Sequence, residues 1–275
     1  MKLSLALCLA ALLSGWFGAS APQEPARPGF DHEHGLWSKV LAEFVVEGRV
    51  DYLELSKRTA DLDRYAQELC TVEPSDFANW TKEQRLAFWL NAHNAFALQA
   101  MLLHYPLENL DSPRDIGGKH SGKVWKERNL RLGRLVPGLS TADLSLEELV
   151  ERVLRPQFKD ARVHAALTNG CLGAPALGRQ AFTAKEVDRE LTAAARAWIA
   201  DPLRTRFSKT EPVVEASVTF EACRADFARE AGSVEAWILS HASLEEKIRL
   251  GAGVELAYRP LAYDWRLNDV ERGAK

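Results

Sequence analysis

One stretch constrains this chain more than any other. From Leu86 to Leu103 the sequence is apolar on almost every side, broken mainly by Asn91, His93, Asn94 and Gln99. A surface helix carries a polar stripe at the 3.6-residue period; a helix apolar all round must be buried. Thr81 and Gln84, just upstream, have the spacing of a capping box, in which each side chain satisfies the other's backbone N–H. Pro106 stops the run, because it lacks an amide hydrogen and clashes with the preceding turn. The pattern predicts a helix beginning at Thr81 that serves as the interior pillar of the fold.

The other elements are shorter. Leu36, Trp37, Val40, Leu41, Phe44 and Val45 have amphipathic helical spacing, and Gly48 ends that helix. Further helices are expected from Ser56 to Leu69, from Leu146 to Leu154 (capped by Ser145 and closed by Pro156) and from Ala184 to Ile199. Three more follow over Phe220–Ala228, Val234–His241 and Ser243–Leu250. Strands are expected at Asn129–Leu135, Arg204–Phe207, Val213–Phe220, Val254–Tyr258 and Tyr263–Leu267. The short apolar run Val163–Leu167 cannot be classified by periodicity. Many helices with a few scattered strands indicate an α+β fold: a helix-rich single domain with a central buried helix and a small antiparallel sheet. That domain is expected over residues 30–269, with a tail at 270–275.

The amino terminus reads as a processing segment. Lys2 supplies a positive start, Leu3 to Phe17 an apolar run, and Gly18 to Ala21 small residues, the layout of a secretory signal peptide over residues 1–20. Pro22, Pro25 and Pro28 make residues 21–29 a tether. The chain is therefore expected to be exported, to a periplasmic or extracellular location, with no transmembrane segment in its mature form. Net charge is −3 and no long basic run exists, so no nucleic-acid partner is expected. Cys70, Cys171 and Cys223 follow the leader; three thiols leave at least one unpaired, and no C-x-x-C pair supports redox chemistry. No cofactor is expected.

Five blocks resemble one family. Ala87-Phe-Trp-Leu-Asn-Ala-His-Asn-Ala-Phe-Ala-Leu98 resembles the signature of the domain of unknown function 547 family (DUF547). Glu47-Gly-Arg-Val-Asp-Tyr52, Ser145-Leu-Glu-Glu-Leu149 with Leu154-Arg155, Arg162-Val-His-Ala-Ala-Leu167 with Gly173-Ala-Pro-Ala-Leu177, and Tyr263-Asp-Trp-Arg-Leu-Asn268 look like its other blocks, in order. The resemblance spans roughly Phe30 to Asp269 and implies a fold unit without a stated activity. Where the family usually has Glu then His, this chain has Val150 and Glu151; where it usually has two cysteines, this chain has Asn169 and Ala174.

Two functional readings follow. In the first, the chain is a binding or catalytically degenerate module, taking a small molecule, a peptide or an envelope component in a cleft near Asn91, Asn94, His164 and Asn169. Asn91 and Asn94 lie one turn apart, and buried amides must find partners, either a neighbouring loop or a ligand. Arg155 can bind an anion or pair with a carboxylate of the fold. In the second, the chain is a thiol-dependent hydrolase or transferase with Cys171 as nucleophile and His164 as base. Cys171 sits in an irregular glycine-rich stretch, and His164 precedes it by seven residues, so the pair meets only if the chain turns back. His32 and His34 carry ligand-type side chains, but two histidines are no metal site alone, and no metal is expected.

Overall fold

A computed structural model describes residues 29–108 and 110–270. The leader (1–20), nearly all of the tether (21–29) and the tail beyond residue 270 lie outside the described residues.

The chain enters through helix α1 (Gly35–Phe44), whose Trp37, Val40, Leu41 and Phe44 form one buried face. A tight hairpin of β1 (Val45–Val46) and β2 (Arg49–Val50) turns it back. Helix α2 (Ala60–Thr71) buries Leu62, Tyr65, Ala66 and Leu69 against α1, and Trp37 stacks on Tyr65 with ring centroids 5.8 Å apart. The central helix α3 (Lys82–Leu102) follows, with the expected capping box: Gln84 N donates to Thr81 Oγ1 at 3.1 Å and Thr81 N to Gln84 Oε1 at 2.8 Å. Every side chain from Leu86 to Leu98 is buried. Each large apolar one removed from water contributes roughly 1.5–3 kcal/mol, so this helix organises the first core.

The next part of the chain departs from its sequence pattern. Asn129–Leu135 is not a strand: a single bridge joins Leu130 to Leu144, and Gly133–Leu135 forms a tight 3-10 turn. Helix α4 (Leu146–Leu149) has its own capping box, Ser145 with Glu148. It does not end at Pro156. A wide π-type turn over Val150–Leu154 leads into Arg155–Phe158, and the chain stays helical past the proline. The π turn shifts the hydrogen-bond register just before the residue that cannot donate, which is where such turns relieve a helix. The unclassified run then becomes a 3-10 turn, Ala161–Ala165.

Helix α5 (Val187–Ala200) leads to a three-stranded sheet of β3 (Thr205–Phe207), β4 (Val213–Ser217) and β5 (Ala257–Leu261), in that order. The sheet is mixed rather than antiparallel. β3 and β4 form an antiparallel pair, but β5 returns parallel to β4, with Val213 opposite Ala257. The helices between them, including α6 (Arg224–Ala231) and α7 (Val234–His241), provide the crossover that a parallel pair requires. Pro260 is tolerated because β5 is an edge strand.

Two apolar cores result. The first surrounds α3; the second gathers Trp198, Phe220, Phe227 and Trp237. Two elements belong to both. Val163 and Ala166 face the first core, Ala161 and Ala165 the second; on α5, Val187 and Leu191 face the first, Ala195, Trp198 and Ile199 the second. The carboxyl end closes back on the amino-terminal hairpin. Val50 N donates to Asn268 O and Val270 N to Val50 O, while the Tyr52 and Tyr105 hydroxyls donate to Asn268 and Asp269. No helix among the described residues is long and apolar enough to cross a membrane.

Candidate functional site

The buried amides of α3 are spent on the chain's own backbone. Asn91 Nδ2 donates to Phe182 O at 2.8 Å, and Phe182 N donates back to Asn91 Oδ1 at 3.0 Å. Asn94 Nδ2 donates to Ala166 O at 2.9 Å, and Thr168 N donates to Asn94 Oδ1 at 3.0 Å. Each amide thus meets one donor and one acceptor of an incoming loop, the pairing that makes a buried polar side chain affordable. His93 is also buried; its imidazole lies 3.4 Å from Asn94 Oδ1, and burial pushes its pKa down to about 4.

These two anchors hold open a cleft of about 580 Å³. Asn91 and Asn94 form one side, with Ala165 and Ala166 beside them. Ala193, Ala194 and Ala197 of α5 form a second side, and Gly48 with residues 176–182 a third. Alanines and glycines are interleaved with larger apolar surface from Trp37, Leu41 and Phe182. Gly48 has a left-handed φ of 77°, and a Cβ there would come within 2.6 Å of the Ala176 side chain, so only glycine fits. Charges stand at the rim. Arg189 pairs with Glu186 at 2.7 Å, Arg179 donates to Ala42 O, and Glu190 accepts from Thr183 N.

His164 does not line this cleft. It points to the other side of its 3-10 turn, where its Nε2 lies 2.9 Å from Asp226 Oδ2. Arg155 joins the same carboxylate at 2.6 Å and pairs with Glu151, while Arg229 bonds the other Asp226 oxygen at 2.8 Å. Burial opposes a charge on His164, but Asp226 and Cys223 outweigh it and push its pKa up to about 9. The hydrogen bond from His164, with those from Arg155 and Arg229, holds Asp226 well below the usual carboxylate range. Arg155 thus takes the carboxylate-pairing role of the two open to it.

Asn169 and Cys171 form a third group. Asn169 Oδ1 accepts from Cys171 N at 3.0 Å, and Asn169 O from Trp125 Nε1 at 2.9 Å. Cys171 bridges to Leu267, and Leu172 N and Gly173 N donate to Arg266 O and Asp264 O. This pairing leaves Cys171 only 1% exposed, and burial pushes its thiol well above the usual range. The structure therefore unites Asn91 with Asn94, Arg155 with His164, and Asn169 with Cys171. It does not pair Cys171 with His164, whose hydrogen-bond partner is Asp226. Sequence reasoning missed that residue. It lies about sixty positions from His164, in an ordinary amphipathic helical stretch, and no spacing marks it. At the positions that depart from the family pattern, Glu151 pairs with Arg155, and the Ala174 carbonyl accepts from the buried Arg204.

The architecture defines a helix-rich α+β protein built around a buried helix whose amides staple two loops. Residues 77–199 match the DUF547 family model, described as a protein of unknown function, so this segment of the chain is similar to that family. The matched segment runs from just before α3 through nearly all of α5; it includes both stapling amides, His164 and Cys171, but neither Cys223 nor Asp226. No curated protein and no solved structure matches the chain.

Proposed function

We propose that this chain is an exported binding module that takes an extended peptide in the cleft between α3 and α5. The observation that carries this reading is the cleft itself: about 580 Å³, with Ala165, Ala166, Ala193, Ala194 and Ala197 beside larger apolar surface from Trp37, Leu41 and Phe182, and charged residues at its rim. The alanines admit a main chain closely, the larger apolar residues can take its side chains, and a trough of mixed polarity suits a ligand that has both. No observation favours Cys171 as a nucleophile, given its burial and raised pKa. Export rests on the leader pattern of residues 1–20.

The test is a peptide-library pull-down followed by calorimetry on the hits. Ala197 is exposed within the cleft, so Ala197→Trp fills the trough without entering the core. Micromolar binding by the native chain, weakened at least about tenfold in Ala197→Trp at unchanged thermal stability, is the expected result. Absence of any bound peptide, or equal binding by the variant, overturns the reading. Amino-terminal sequencing of protein secreted by its host tests export, with a new terminus near Ala21 expected.

A further inference from the structure

We propose that the peptide taken in the cleft carries a lysine or arginine, whose side chain lies along the alanine face of α5 and ends at Glu190. This rests on the peptide reading of the cleft and names the side chain that the cleft selects.

The first support is register. Glu190, Ala193, Ala194 and Ala197 all line the cleft, and all belong to α5. They stand at i, i+3, i+4 and i+7, the spacing that puts residues on one face of a helix. Ala193 and Ala197 are exposed, and Ala194 is partly so. At 1.5 Å per residue the stripe runs roughly 10 Å along the helix axis, about the reach of one long side chain. Methyl groups cover most of that length, and a carboxylate stands at the amino-terminal end. Phe182, from the loop stapled by Asn91, adds apolar surface to the same cleft. A lysine or arginine side chain has its parts in the matching order, an apolar stem and then a charged head.

The second support is charge. Two guanidiniums and two carboxylates line the cleft. Both guanidiniums are engaged: Arg189 pairs with Glu186 at 2.7 Å, and Arg179 donates to Ala42 O at 2.6 Å. The carboxylates have no cation of their own. Glu190 Oε2 accepts from Thr183 N at 3.1 Å, and among the described residues Glu190 forms no ion pair. Burial pushes its carboxyl above the usual range, and neither the Thr183 bond nor nearby Arg189 offsets that. Glu47 also forms no ion pair among the described residues. The hairpin turn holds it at the rim with a left-handed φ of 50°, just before Gly48. A partly buried carboxylate without a counter-ion is costly, and an ammonium or guanidinium brought in by a ligand relieves that cost. A neutral side chain leaves the cost in place, and an acidic one adds like-charge repulsion.

The probe is a hexapeptide library, N-acetylated and C-amidated so that only side chains carry charge, presented to the full chain. The expected result is enrichment of lysine or arginine at one position. In calorimetry on a selected peptide, replacing that residue by norleucine keeps an apolar stem and removes the charged head. Binding to the native chain is expected to weaken at least about tenfold, the size of one hydrogen-bonded charge. Glu190→Gln keeps an acceptor for Thr183 N and loses the charge. In that variant the basic peptide is expected to bind no better than its norleucine version. If the variant does not fold, the comparison of the two peptides on the native chain still decides. Bound peptides with no preference for a basic residue, or equal affinity for the basic and norleucine versions, overturn this proposal and leave the peptide reading standing. A folded Glu190→Gln chain that keeps the full preference overturns the assignment to Glu190. A chain that binds no peptide overturns both readings.

Discussion

At the scale of single residues, three histidines set opposing pH limits. His34 is buried against Tyr65, its Nδ1 2.8 Å from the hydroxyl, and burial pushes its pKa down to about 4, the same value as His93. An unfolded histidine titrates near ~6.5, so below that pH the unfolded chain binds protons that the folded one refuses. The stability these two residues support is whole above ~6.5 and is lost as pH falls toward 4. His164 has the opposite sign. Its folded pKa of about 9 lies above the unfolded value, so its contribution is whole below ~6.5 and is lost as pH rises through 9. Thermal melts across pH 4 to 10 are expected to peak near ~6.5. His164→Gln is expected to flatten the alkaline limb and leave the acid limb in place; an unchanged alkaline limb would show that the His164–Asp226 contact contributes nothing to stability. The residue-level site was only half legible in sequence. Asn91 and Asn94 stood out because an amide on an all-apolar helix demands a partner. Which partner each would find was not readable, since Phe182 and Ala166 lie far along the chain and offer only backbone.

At the scale of elements, local chemistry was legible wherever it was local. The capping boxes at Thr81 and Ser145, the amphipathic faces of α1 and α5, and the β3–β4 pair follow from residues within a few positions of one another. Thr81→Ala removes one half of the first box and is expected to cost about 1 kcal/mol, read as a lower midpoint in urea with an unchanged slope. A larger loss would mean that Thr81 has a role in packing beyond the cap. What could not be read depends on distant partners. The run at Asn129–Leu135 alternates like a strand but has only Leu144 to bridge with, and β5 runs parallel to β4 because the intervening helices carry the chain back to the same end. Pro156 signals a stop, and the π turn that lets the helix pass it has no sequence mark of its own.

At the scale of the whole molecule, the two cores share the Ala161–Ala165 turn and helix α5. Neither core can lose its packing without disturbing the elements that wall the other. Calorimetry is therefore expected to show one transition, with calorimetric and van't Hoff enthalpies equal; two resolved transitions would mean that the cores unfold as separate units. The general class was readable from one buried helix and many short elements, and three of the five resembling blocks lie within the segment that matches the family model. The way the ends meet was not. Backbone bonds from Val50 to residues 268 and 270 mean that the first hairpin is completed by almost the last residues described. During translation, then, the first hairpin waits for residues 268 and 270: a nascent chain with residue 270 still inside the ribosome's exit tunnel cannot yet make the bonds that complete it.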